Sequence, residues 1–236
     1  MTDIIKIGDM ELEVTRKDIK NVHLSVNPPD GQIRLSAPKD TRLDVVRAYV
    51  LSKLTWIRHQ REHILNQKRE TPREYVSRES HYVWGKRYLM QVETTTEKQH
   101  VIKTHQYIQL YVRKGANRDQ RAAVYYEWAK DIFKSYLDKI IPEWEEKIGV
   151  KTNAYFIQKM KTKWGSCNPR SKNIRLNTEL VKKPKHLVEY VVVHELIHLI
   201  EPRHNKKFIN LLDTHYPSWR EARKELNELP LGFVEW

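Results

Sequence analysis

The sequence predicts an α+β fold: an N-terminal region rich in β-hairpins with a long helix, followed by a domain built around an apolar helix that carries histidines. Three observations lead there. Short apolar and polar alternations flank turn residues through much of the first 115 positions, and the period changes to helical spacing at Thr41 and again after RKGANRD, residues 113 to 119. Then VVHELIHLIEPRH, residues 192 to 204, sets three histidines and a glutamate into one of the most apolar stretches of the chain.

IIKIGDMELEV has apolar residues spaced for strands on either side of a Gly-Asp turn, and VHLSVNPPDGQIRLSA repeats the pattern around PPDG. Both read as hairpins. Thr41 and Asp44 make a capping-box-like start to a helix whose apolar positions run from Val45 through Ile57 toward Ile64, with an expected end near Lys68. A polar stretch leads to another hairpin, HYVWGKRYLMQV, and a strand, YIQLYV. RKGANRD is polar and precedes a helix in which Ala122, Tyr125, Trp128, Ile132, Phe133, Tyr136 and Ile140 recur until Pro142, a stripe that reads as core. It divides the chain into residues 1–115 and 116–236. TKWGSCNPRSKNIRLN follows as a hairpin, and KKPKHLVEYVVVHELIHLI opens with a proline suited to a first helical turn. HYPSWREARKELNEL carries Trp219, Ala222 and Leu226 at packing-helix spacing, and no internal repeat is apparent in the sequence.

Composition narrows the function. The 236 residues are 39% apolar with 7 Trp and 12 Tyr, which excludes a disordered chain. No apolar run is long enough to span a bilayer and the first residues lack a signal-peptide pattern, so the expectation is a cytoplasmic protein with no membrane partner. Cys167 is the one cysteine, which suits a reducing compartment. A net charge of +13 favours contact with nucleic acid, nucleotides or other polyanions, but the basic residues are dispersed.

On a helix, residues four apart share a face, so His194 and His198 point the same way with Glu195 beside them. This is the HExxH pattern: two nitrogen ligands for zinc, and a carboxylate able to take a proton from an activated water. Pro202 ends the helix near Leu199 or Ile200, and the returning chain then presents His204 as a third ligand, leaving the open position that a catalytic metal needs. Cys167 is the alternative fourth ligand, which would close the shell and make the site structural. WGSC, residues 164 to 167, has two readings: a strand that borders the cleft and pairs with an extended substrate, or a buried hairpin with Gly165 at a bulge.

YVVVHELIHLIEPRHNKKF, taken with WGSCN, IRLNTELVKKP, NVHLSVNPPDGQIRLSAP, KLTWI and HYVWGKRY, resembles the YgjP-like metallopeptidase family over nearly the whole chain. The resemblance implies a minimal zincin-like metallohydrolase domain in residues 116–236, with zinc on His194, His198 and His204 and Glu195 as general base. The ligand spacing equals that of metzincins, but Glu201 replaces their glycine and no Met-turn follows.

The first functional reading is therefore a zinc-dependent hydrolase cleaving peptide bonds of a peptide or protein. A second keeps the metal and changes the bond: a nucleoside triphosphate pyrophosphohydrolase, an activity attributed to YgjP-like relatives, with UTP as substrate and Lys161, Lys163, Arg170 or Arg175 holding phosphates. A third is a basic nucleic-acid-binding module with structural zinc, or its hybrid, a DNA-associated protease of the SprT-like kind.

Overall fold

The computed structural model describes residues 2–8, 10–27, 30–66, 71–160 and 163–229, in two compact units that divide at Arg69 and Glu70. In the first unit, β1 (Thr2–Ile7) and β2 (Met10–Lys17) form the predicted antiparallel hairpin around Gly8, and β3 (His23–Asn27) and β4 (Gln32–Pro38) form the second. The hairpins join through a parallel β2–β4 pairing, giving the order β1-β2-β4-β3. Alternate residues Leu12, Val14, Ile33 and Leu35 face inward onto Val46, Val50 and Ile57. Those last three come from α1 (Leu43–Ser52) and α2 (Leu54–Asn66), separated at Lys53. The single helix expected here is thus two, and Arg42 rather than Thr41 stands at the N-cap, without a side-chain cap bond. The expected end at Lys68 lies outside the described residues, as do Pro28 and Pro29 of the second turn.

The second unit begins with a sheet of the same topology. Strands β5 (Ser80–Val83), β6 (Lys86–Thr94), β7 (His100–Lys103) and β8 (Tyr107–Val112) lie in the order β5-β6-β8-β7, again with two antiparallel hairpins and a parallel central pair. The sequence shows no repeat because topology recurs here without residue similarity. The expected boundary after residue 115 is displaced for a physical reason: Val83, Met90, Ile108, Leu110 and Val112 share one core with the helices that follow.

The tip of the β5–β6 hairpin, Trp84-Gly85, has positive φ at both residues (52° and 78°), the backbone of a tight two-residue hairpin turn. It sets the start of the histidine helix. Trp84 and Gly85 donate backbone hydrogen bonds to Val181 and Lys182, and a Cβ on Gly85 would meet Pro184 Cγ at 2.7 Å.

Helix α3 (Arg118–Ile148) starts with a capping box between Asn117 and Gln120 and ends at Gly149 in the left-handed region. It runs through Pro142 instead of stopping there. The loss of one amide donor is outweighed by buried contacts on both sides, from Phe133 and Leu137 to Ile148. Next come β9 (Ala154–Gln158), β10 (Gly165–Asn168) and β11 (Asn173–Asn177), in the order β10-β11-β9, then the 3₁₀ turn Thr178–Lys182. The predicted β10–β11 hairpin is present, and β9 joins it in parallel.

Helix α4 (Lys185–Ile197) is buried almost all round, as its uniformly apolar sequence requires. Helices α5 (Lys206–His215) and α6 (Trp219–Glu228) complete the unit, the latter burying the expected Trp219, Ala222 and Leu226. Among the described residues, no helix is long and apolar enough to cross a membrane.

Candidate metal centre

His194 lies in the last turn of α4 and His198 at its C-cap, still in helical conformation (φ −62°, ψ −17°), so the i, i+4 geometry survives the helix end. Backbone bonds from Leu199 to Leu196 and from Ile200 and Glu201 to Ile197 wind the chain off the helix. His204 then returns just before Asn205, whose side chain caps α5 by accepting from Phe208 N. The cap also sets Phe208 beneath the site. Its ring lies 4.9 Å from that of His194 and 4.7 Å from those of His198 and His204.

The three imidazoles converge. Each offers a nitrogen, and these atoms lie within 4.8 Å of one another. His194 Nε2 and His204 Nε2 are 3.0 Å apart, near the roughly 3.3 Å expected for two nitrogens on one tetrahedral zinc ion. His198 Nδ1 is 3.1 Å from the Glu201 carbonyl, a partner that makes it the N–H donor and leaves Nε2 as an acceptor for a metal. His194 Nδ1 is buried with no partner among the described residues, which is costly for a ring serving only to pack. Burial, followed by the neighbouring His198 and His204, lowers the His194 pKa to about 3, and burial also lowers that of His198. Both rings are therefore held neutral, the form that binds metal. The donor set fits a zinc ion.

Glu195 is 6% exposed, and burial pushes its pKa up to about 8, partly offset by Lys163. Its side chain lies against β10: a Cβ on Gly165 would meet Glu195 Oε1 at 2.7 Å. The approach to β10 is fixed by Asn177, which is buried and donates to the Met160 and Lys163 carbonyls while its own amide donates to the Trp164 carbonyl. Cys167 lies on the same strand but is not among the converging donors, and burial followed by the charge of Glu195 pushes its thiol up to about 11.

A cavity of about 250 Å³ adjoins His194 and Glu195, bounded by Trp164, Tyr190, Arg223 and Leu226 among others. Of the basic residues considered for phosphate binding, Lys163 lines it; Arg175 instead lies over the Phe156 ring at 5.7 Å, and Lys161 lies outside the described residues. Tyr216 turns elsewhere, donating from its hydroxyl to the His186 carbonyl. Phe208, Tyr190 and Arg223 were not singled out from sequence. Tyr190 has a readable signal, since it precedes His194 by one helical turn, and so has Phe208, which follows His204 by four residues.

The chain as a whole belongs with a known class. Residues 20–229 match the model of a metallopeptidase domain. That model is of the YgjP-like family, and the chain belongs to it, as its motifs suggested. Two solved structures are similar to part of the chain. One is the metallopeptidase zymogen of Pyrococcus abyssi abylysin, 16% identical with a TM-score of 0.36 over 38% of this chain and 90% of that one. The other is the metallopeptidase zymogen of Methanocaldococcus jannaschii jannalysin, 26% identical with a TM-score of 0.34 over 38% of this chain and 92% of that one. No curated protein matches the chain.

Proposed function

We propose that the protein is a zinc-dependent peptidase in which His194, His198 and His204 hold the ion and Glu195 is the general base. The observation that carries this is the convergence of three imidazoles, their nitrogens within 4.8 Å of one another, beside one buried carboxylate. A zinc ion held there supplies Lewis acidity for the attacking water and the scissile carbonyl. The Glu195 carboxylate accepts the proton of the attacking water and delivers it to the leaving nitrogen. A carboxylate beside the attacking water can make both transfers.

The substrate is an extended peptide. Strand β10 is an edge strand of its sheet, and Gly165 brings it against Glu195, so an added strand would lie beside the reacting groups. The cavity favours the same substrate. At about 250 Å³ it falls below the roughly 300–1,000 Å³ of pockets that enclose a whole small molecule, and so suits one side chain better than a nucleotide.

The test is to incubate zinc-loaded wild type and Glu195→Gln with a mixed peptide library and, separately, with the four ribonucleoside triphosphates. Peptide cleavage by wild type and none by the variant is expected. Glu195-dependent release of pyrophosphate without peptide cleavage would replace this proposal with the pyrophosphohydrolase reading.

A further inference from the structure

The cavity beside His194 and Glu195 has a composition that the hydrolytic chemistry does not require. Its walls are apolar, with Trp164, Tyr190 and Leu226, but Lys163 and Arg223 also line it, together with the amide of Asn227. Arg223, Leu226 and Asn227 lie on one side of α6 by their i, i+3, i+4 spacing; Leu226 is buried at the cavity wall, while Arg223 and Asn227 are exposed at its mouth.

Neither cation makes an ion pair among the described residues. Of the acidic side chains of α6, Glu225 lies 2.7 Å from His186 Nε2 and Glu228 pairs with Lys224 at 3.9 Å, while Glu221, in the first turn, does not line the cavity. Among the described residues the one carboxylate in the lining is Glu195, whose oxygen lies against Gly165. Two cations and an amide donor above an apolar wall make a receptor for a short apolar stem ending in an anion.

We infer that this cavity is a subsite for a substrate carboxylate, held by Arg223 and Lys163, so that the enzyme selects peptides with a carboxylate close to the scissile bond. This rests on the peptidase reading. The volume fits a Glu or Asp side chain, or the last residue of a peptide with its free C-terminus. Both present the same carboxylate, and the aromatic walls cover the carbon atoms that carry it. Arg223 acts here as a specificity residue without a part in proton transfer, and Lys163 adds to the same subsite while its charge also favours the Glu195 carboxylate.

The experiment has two arms on the zinc-loaded protein. In the first, kcat/KM is measured for a cleaved peptide and for its Glu, Gln and Lys versions at each position flanking the cut, each with a free and an amidated C-terminus. Wild type should prefer Glu to Gln at one flanking position by about ten- to a hundredfold, the worth of a charge-assisted hydrogen bond. If the terminal carboxylate is the ligand, amidation should cost a similar factor. Arg223→Glu should invert the Glu to Lys preference, and Lys224→Glu, the same charge change one residue away, should leave it as in wild type. In the second arm, affinities of the same peptides are measured by titration calorimetry with Glu195→Gln, which needs no turnover. No cleavage of any peptide by wild type would sink the peptidase reading and leave the second arm to decide the subsite. Equal handling of Glu, Gln and amidated peptides, or an unchanged preference in Arg223→Glu, overturns it.

Discussion

A Cβ placed on Gly165 would sit 2.7 Å from Oε1 of Glu195, closer than side-chain carbons pack in proteins. The strand that borders the site thus touches the proposed base directly, and the absence of a side chain at this position lets the carboxyl lie where it does. Gly165→Ala should therefore displace Glu195. The expected result is retained zinc, a stability loss of about 1–3 kcal/mol from overpacking, and a fall in peptide kcat/KM of roughly a hundredfold from misplacement of the base. Thermal unfolding, metal analysis and kinetics on the same preparation check it, and full activity in the alanine variant would show that the contact does not constrain catalysis.

Phe208 supports the histidines from below. Phe208→Ala should cost about 3–5 kcal/mol in denaturant unfolding, as loss of a fully buried aromatic does. It should also weaken zinc binding, since all three rings lose the surface they pack against. Phe208→Leu separates the two effects: most of the stability should return, and competition with a chelator reports whether metal affinity returns with it.

The metal-free protein should show Glu195 in its pH dependence. The folded pKa of about 8 lies above the ordinary 4.5, so the unfolded state gives up its proton first and stability falls as pH rises between these values. His194, lowered to about 3 from 6.5, acts in the opposite sense, but only below pH 6.5. From pH 6.5 to 8 the glutamate acts alone of the two. Chelator-treated wild type should lose about 2 kcal/mol more than Glu195→Gln over that window in urea unfolding. Parallel curves for the two proteins would mean that burial does not hold the Glu195 proton.

Much of this was legible in the sequence because the signals are local. Four hairpins are written as alternation around turn residues, and His194, Glu195 and His198 are tied together by helical periodicity. What could not be read depends on contacts distant in sequence. Strands β7 and β9 are short and weakly patterned, and β9 takes its place by pairing in parallel with β11. Pro142 reads as a helix stop, yet burial on both sides carries α3 past it. The unit boundary was misplaced because β5–β8 look like a continuation of the preceding hairpins, while their inward residues pack with α3 and α4. Gly165 left two readings open from sequence; its partner is 30 residues further along the chain, and only the fold brings them together.

Everything proposed for this site depends on three histidines holding one zinc ion, and elemental analysis of wild type and His204→Ala decides whether they do. His204 is the decisive residue, because it lies outside the HExxH pair and reaches the site only through the turn between α4 and α5. Wild type should carry about one zinc per chain, and His204→Ala, folded by circular dichroism, should lose most of it on dialysis against a weak chelator. Wild type without stoichiometric zinc, or His204→Ala retaining the full amount, would contradict the assignment.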